Sequence, residues 1–129
     1  MVVDSSAVLA ILLGERDAER YADALSRPGR KLMSSVSKLE SAIVVEARKG
    51  EAGARAFARL VALCELDTVA FDAGQAEIAL DAWRRYGKGR HPAALNMGDC
   101  ASYALAKLLG ESLLWKGVDF TLTDLAPAL

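Results

Sequence analysis

Four acidic residues fall where an α/β protein could gather them around a metal ion: Asp4, Glu40, Asp99 and Asp119. Asp4 directly follows a short β-prone run, and Asp119 comes a few residues after another one. Because ligands collect at the carboxyl ends of parallel strands, we expect these two side chains to project at the same edge of the sheet. Glu40 and Asp99 each fall in the first turn of a predicted helix.

Such a set of acids is suited to metal-dependent attack on a phosphodiester. Carboxylates packed together without a counter-charge are unfavourable, and some of them would take up protons. A divalent cation removes that cost, and hard oxygen ligands select Mg²⁺ or Mn²⁺ over zinc. Such a site can hold a phosphodiester and generate hydroxide from bound water. From the pattern alone, a phosphoacceptor and a non-catalytic α/β module stay open as alternatives.

Each acid also has a purely structural interpretation. Ser37 and Glu40 form a capping-box pattern at the start of one predicted helix. Asp99 stands three residues after Asn96, a candidate N-cap, where a negative charge favours the helix dipole by roughly 0.3–1 kcal/mol. The other two acids could act as a helix cap and as a turn residue. Taken together, all four fall at strand ends or helix starts that should face one rim, which favours the metal site.

The elements that must position these acids alternate short β-rich runs with longer helical patterns. This alternation is typical of βαβ units around a mostly parallel sheet. The predicted strands are residues 1–3, 31–34, 66–71 and 112–115, and the predicted helices are 7–13, 17–25, 38–49, 52–64, 72–86 and 98–109. Residues 121–129 could form a short helical turn or an edge strand. The length of 129 residues predicts a single domain over 1–129.

Composition limits how the protein could bind nucleic acid and where it acts. A formal net charge of -1 excludes binding through overall positive charge, so any contact with nucleic acid must be local. The longest apolar run, residues 7–13, is far shorter than the roughly 20 residues that span a bilayer, and no signal peptide is visible. Cys64 and Cys100 are expected to be free thiols. We therefore expect a cytoplasmic protein without a membrane partner.

One candidate for a local contact is a basic run that contains no acid: Arg84, Arg85, Lys88, Arg90 and His91. Its structural interpretation is a solvated helix end followed by a loop. Its functional interpretation is a rim that contacts phosphates beside the acidic centre, to which Lys116 could add. His91, the only histidine, is expected to be a loop residue rather than a catalyst.

Four segments of the chain share the order and spacing of a known family. They are MVVDSSAVLAIL, SKLESAIVVEARKG, GKGRHPAALNMGDCASYALAK and LLWKGVDFTLTDL. Together they resemble the PIN-domain ribonucleases of the VapC toxin type, from residue 1 to about residue 125. The resemblance implies a three-layer α/β/α sandwich around a mostly parallel sheet. It also implies a Mg²⁺- or Mn²⁺-dependent endoribonuclease that is the toxin of a type II toxin–antitoxin module.

The resemblance carries the family's acidic quartet onto this chain residue by residue. The four acids fall on Asp4, Glu40, Asp99 and Asp119, and the small hydroxyl residue that follows the first acid falls on Ser6. Asp4 and Asp99 are then the expected metal ligands. Glu40 and Asp119 would complete the ring, binding water or a second ion and orienting the nucleophile. Arg85, Lys88, Arg90 and Lys116 are the expected contacts to the substrate.

Partners also follow from the resemblance. It implies a homodimer that cleaves RNA and is held inactive by a cognate VapB-type antitoxin. The apolar helices over residues 7–13 and 52–64 are candidate surfaces, because such an antitoxin would lay an apolar segment in a groove between helices. The rival interpretation is a catalytically silent PIN-like module that binds RNA or a protein. A receiver-like phosphoacceptor, with Lys116 as its late lysine, is a third.

Overall fold

Four short strands form the sheet at the centre of the protein. In the computed structural model, which describes residues Met1–Leu129, they are β1 (Val2–Val3), β2 (Lys31–Ser34), β3 (Leu66–Val69) and β4 (Leu113–Leu114). Their order is β3-β2-β1-β4, and every pairing is parallel. The predicted parallel sheet is therefore confirmed, and the central strand β1 delivers Asp4 at its carboxyl end.

Helices cover both faces of this sheet. They are α1 (Ser5–Leu12), α2 (Ala18–Ser26), α3 (Ser35–Leu63), α4 (Ala73–Tyr86) and α5 (Met97–Leu109), followed by a 3₁₀ turn (Asp119–Leu122). Successive strand residues point to opposite faces. Val2 and Leu32 pack with residues of α4 and α5 on one face, whereas Val3 and Met33 pack with α1, α2 and α3 on the other. The three-layer α/β/α class is confirmed.

The start of α3 differs from the prediction. We expected Ser37 to be the N-cap, but the cap is Ser34, whose hydroxyl accepts a hydrogen bond from the backbone N–H of Val36 at 3.3 Å. Ser37 lies one turn further on and is buried. Gly50 does interrupt the helix as expected: its φ of 59° and ψ of -152° divide α3 into two helical segments.

The tail combines both of the predicted alternatives. Residues 119–122 form the 3₁₀ turn, and Pro127 pairs with Leu113 through an isolated parallel bridge beside β4. Phe120 is buried against Trp115, with ring centroids 5.6 Å apart, which fixes the turn to the body of the protein. None of the helices is long and apolar enough to cross a bilayer.

Candidate metal centre

Asp4 lies at the carboxyl end of β1, where it caps α1. Its Oδ2 accepts hydrogen bonds from the backbone N–H of Ser6 at 2.9 Å and from the Ser6 hydroxyl at 2.6 Å. Its Oδ1 accepts from the hydroxyl of Ser102 at 2.6 Å. Asp4 is only 2% exposed, and all three donors are uncharged. Hydrogen bonds therefore hold both oxygens of a buried carboxylate without neutralising its charge.

Asp99 forms a capping box with Asn96 at the start of α5. Its backbone N–H donates to Asn96 Oδ1 at 2.8 Å, and its Oδ2 accepts from the backbone N–H of Asn96 at 2.9 Å. Burial raises the pKa of Asp99 from 3.8 to about 7, although the hydrogen bond from Asn96 acts in the opposite direction. The negative charges of Asp4, Asp119 and Glu40 raise this pKa further. The other three acids therefore lie close enough to Asp99 to repel its carboxylate.

Glu40 brings α3 against the start of α5. Its Oε1 accepts a short hydrogen bond from the hydroxyl of Ser5, at the beginning of α1. Its Oε2 occupies the space beside Gly98, where an added Cβ would lie only 2.5 Å away. The residue before Asp99 must therefore be glycine if the Glu40 carboxylate is to stay at this position.

Asp119 is the exposed member of the set and opens the 3₁₀ turn. The loop before it is tied to the start of α1, because the backbone N–H of Lys116 donates to the hydroxyl of Ser6 at 2.9 Å. Ser6 thus connects Asp4 to the segment that carries Asp119.

Carboxylate and hydroxyl oxygens dominate this site, which suits a hard divalent cation. No ion pair of the structure involves any of the four acids. As they stand, no three acidic, histidine or cysteine side chains are arranged to hold one ion together. Repulsion among unneutralised carboxylates favours such separation. The donor chemistry and the unpaired charge fit a divalent metal, and a third acid would have to move its side chain to join two others on one ion.

The predicted substrate residue Lys116 already has acidic partners. Its Nζ pairs with Asp17 at 2.8 Å and closely with Glu15, and these contacts raise the pKa of Lys116 above its usual range. The lysine therefore anchors the loop between α1 and α2. A role in binding substrate stays a prediction.

The other three predicted substrate residues are exposed around the end of α4 and the loop after it. Arg85 pairs with Asp124 at 3.5 Å, and its guanidinium lies over the ring of Tyr86. Arg90 lies over the ring of Trp83, 4.7 Å from the centroid. Lys88 lines an apolar cavity beside α5. No contact links these cations directly to the four acids, so their role in RNA binding also stays a prediction.

His91 is a loop residue, as expected. Its Nδ1 accepts a hydrogen bond from the backbone N–H of Ala93 at 3.1 Å, and its ring meets Tyr86 edge-on with centroids 5.2 Å apart. The imidazole therefore stabilises the loop between α4 and α5.

Sequence reasoning missed the serines that support the acids. Ser102 contacts Asp4, Ser5 contacts Glu40, and Ser37 contacts Ser102 with 2.9 Å between the hydroxyl oxygens. A signal was present for two of them. Ser37 precedes Glu40 by three residues and Ser102 follows Asp99 by three, a spacing that places each pair on one helix face.

Comparison with known proteins places this chain in a family. The model of the PIN domain matches residues 1–125, which include all four acids. Ribonuclease VapC30 of Mycobacterium tuberculosis is 51% identical over 126 residues, covering 98% of this chain and 96% of the relative. This chain belongs to the VapC family of PIN domains. The resemblance to VapC proteins that the sequence motifs indicated is confirmed over almost the whole of this chain.

Solved structures agree with this VapC fold. VapC20 of Mycobacterium tuberculosis, described as a toxin that cleaves the sarcin-ricin loop, superposes with a TM-score of 0.79 and 20% identity over 97% of this chain and 95% of that one. A toxin–antitoxin complex from Klebsiella pneumoniae contains a chain with a TM-score of 0.70 and 18% identity, over 95% of this chain and 92% of that one. At these identities the likeness concerns the fold alone.

Proposed function

We propose that this VapC-family protein is a divalent-metal-dependent endoribonuclease and the toxin of a type II toxin–antitoxin pair, with residues 1–129 acting as one PIN domain. The observation that carries the proposal is the acidic cluster itself. Burial and the negative charges of the other three acids raise the pKa of Asp99, and none of the four carboxylates has a cationic side-chain partner. Such an arrangement is unfavourable for folding alone, and a cation would compensate for it. The ribonuclease names of relatives near 50% identity support the same conclusion.

Each acid has a distinct task in this proposal. Asp4 and Asp99 would hold Mg²⁺ or Mn²⁺, because their side chains are already oriented by hydrogen bonds. Glu40, oriented by Ser5, and the exposed Asp119 complete the site on the side of solvent and substrate. A bound divalent ion would activate water and neutralise charge on the scissile phosphodiester.

Contacts to the RNA backbone come from the exposed cations around the loop after α4. The backbone N–H of Lys88 donates to the carbonyl of Leu95, so the base of this loop lies next to the N-cap of α5. Lys88 and Arg90 are therefore the preferred phosphate contacts. Arg85 and Lys116 would have to release acidic partners first. Because RNA is the substrate, the proposal also places the protein in the cytoplasm.

The test is RNA cleavage by purified protein freed of antitoxin, with Mn²⁺ and with EDTA. Wild-type protein should cleave only when the metal is present. The Asp4→Asn and Asp99→Asn variants should lose more than about 100-fold in rate. Cleavage at the wild-type rate by either folded variant would refute the assignment. A folded wild type that binds RNA but cleaves nothing would favour the catalytically silent module.

A partner surface is the second part of the proposal. An apolar cavity of about 450 Å³ lies between α4 and the starts of α3 and α5. Leu80, Trp83 and Met97 line it while staying exposed, Met97 by 82%. Exposed apolar side chains of this kind favour a protein interface. We assign this face to the homodimer.

Part of the apolar surface on the two helices expected to receive the antitoxin is covered by the protein itself. Ala7, Val8 and Ala10 of α1 and Phe57 of α3 are buried in the protein's own core. Leu63, at the end of α3, is strongly exposed. Antitoxin binding to this side stays a proposal, supported by the family and by the fold shared with a chain of a solved toxin–antitoxin complex.

The dimer is tested by light scattering with matched variants. Leu80→Lys should convert a dimer into a monomer because it places a charge in the apolar face. Leu63→Lys introduces the same charge at an exposed position at the end of α3, outside the apolar face, and should leave the dimer intact. A wild type that is monomeric at all concentrations would refute the dimer.

A further inference from the structure

Two buried serine hydroxyls lie between α3 and α5. Ser37 is 1% exposed and Ser102 is 0% exposed, and their oxygens are 2.9 Å apart. The Ser102 oxygen is also 2.6 Å from Oδ1 of Asp4. A hydroxyl has one proton, and an ionised carboxylate only accepts. Ser102 therefore donates to Asp4, and Ser37 must donate to Ser102.

This chain of hydrogen bonds connects the three elements that carry the inner acids. It begins on α3, passes through α5 and ends on the carboxylate that follows β1. Ser37 lies one turn before Glu40, and Ser102 lies one turn after Asp99, on the same helix faces. The chain therefore fixes the relative position of the two helices and the strand end at the level of the acids.

Packing alone does not explain these two hydroxyls. Buried hydroxyls carry a desolvation cost that a pair of alanines at the same positions would avoid. The hydroxyls instead complete the hydrogen bonding of Asp4, since Ser6 satisfies only Oδ2. Without Ser102, Oδ1 would be buried and unpaired, and the terminal torsion of an aspartate is broad. Ser102 thus determines the plane of the carboxylate.

We propose that Ser102, itself oriented by Ser37, is a positioning residue that holds the Asp4 carboxylate ready to ligate the divalent metal. This inference rests on the proposed metal-dependent function and adds residues outside the acidic quartet to it. Because the partners that orient a metal ligand commonly contribute 10–100-fold to affinity, Ser102→Ala should weaken Mn²⁺ binding by about 10-fold. Ser37→Ala leaves the direct contact in place and should weaken binding by a smaller factor of about 3.

Ser41 provides a matched control. It is also 0% exposed and also in α3, but its hydroxyl donates to the backbone carbonyl of Ser37 at 2.8 Å and makes no hydrogen bond to a carboxylate. Ser41→Ala therefore removes a buried hydroxyl and one hydrogen bond without changing the support of Asp4. Its Mn²⁺ affinity should equal that of the wild type.

The experiment measures Mn²⁺ binding by calorimetry on antitoxin-free protein, with circular dichroism to verify folding. RNA cleavage as a function of Mn²⁺ concentration gives a second readout. The midpoint should shift by the same factor as the affinity, while the rate at saturating Mn²⁺ changes little. Should Ser102→Ala not fold, the comparison of Ser37→Ala with Ser41→Ala decides the question.

Two results would overturn the proposal. One is an affinity of Ser102→Ala within twofold of the wild type, and the other is an equal loss in Ser41→Ala. In both cases wild-type cleavage would persist, so the proposed function would survive. A wild type that neither binds Mn²⁺ nor cleaves RNA would instead refute the proposed function, and the positioning role with it.

Discussion

Replacing Asp99 with asparagine should stabilise the metal-free protein while removing a metal ligand. Burial and the charges of Asp4, Asp119 and Glu40 raise the pKa of Asp99 from 3.8 to about 7. A carboxyl group with a raised folded pKa binds its proton more tightly in the folded protein than in the unfolded chain. Its contribution to stability is therefore lost as pH rises from about 4 to about 7, the reverse of the usual carboxylate behaviour.

The magnitude follows from the size of the shift. The difference between 3.8 and about 7 corresponds to at most about 4 kcal/mol of stability lost above pH 7. Asp99 is half-buried, so solvent screens part of this energy, and asparagine must also be desolvated there. Asparagine retains an oxygen that can accept the hydrogen bond from Asn96. We expect Asp99→Asn to raise the free energy of unfolding by about 1–3 kcal/mol at pH 8.

Urea unfolding in EDTA, repeated from pH 4 to pH 8, measures this difference. At pH 4 the two proteins should differ by less than about 0.5 kcal/mol, because Asp99 is then largely protonated in the folded protein. Asp72→Asn is the matched control: Asp72 also caps a helix, with Oδ1 accepting from the backbone N–H of Gln75 at 2.9 Å. Asp72→Asn should give no such stabilisation at pH 8.

Saturating Mn²⁺ should reverse the order of stability, because a ligand that binds only the folded state stabilises it. The wild type would gain stability and Asp99→Asn would not. If the stability difference in EDTA is the same at every pH, or if Asp99→Asn is less stable at pH 8, the reasoning about repulsion among the acids is wrong.

Two further substitutions separate the acidic site from its surroundings. Gly98→Ala should displace the flexible Glu40 carboxylate. Initial rates of RNA cleavage should then fall by about 10–100-fold, while Tm stays within about 3 °C. Unchanged rates would contradict the argument that Gly98 leaves space for Glu40. Asp124→Asn removes the charge that accepts from Tyr103 at 2.7 Å and Lys107 at 2.9 Å. It should lower the free energy of unfolding in urea by about 1–2 kcal/mol; a shifted Mn²⁺ midpoint would contradict its purely structural role.

Local patterns were sufficient for most elements of the fold. The strands β1 and β4 are short apolar runs, as expected for parallel strands covered on both faces. The capping box between Asn96 and Asp99 was readable because both partners lie within one helical turn. The same kind of pattern was wrong for Ser37 and Glu40, since Ser37 bonds with Ser102, 65 residues away. A spacing rule cannot detect such a distant partner.

Surface roles were harder to predict for the same reason. The local sequence does not show whether the side chains of the basic run and Lys116 have acidic partners. In the structure, Arg85 and Lys116 pair with acids that are distant along the chain. The apolar pattern of α1 likewise does not reveal whether its apolar side is covered by the protein's own core or by a partner. Tertiary contacts decide both questions, and those contacts are not encoded in local periodicity.

The most direct test of the acidic site is the anomalous scattering of a crystal grown with Mn²⁺. A manganese peak within ligand distance of carboxylate oxygens from both Asp4 and Asp99 is the predicted result. Peaks found only elsewhere, with these two carboxylates free of metal, would contradict the account.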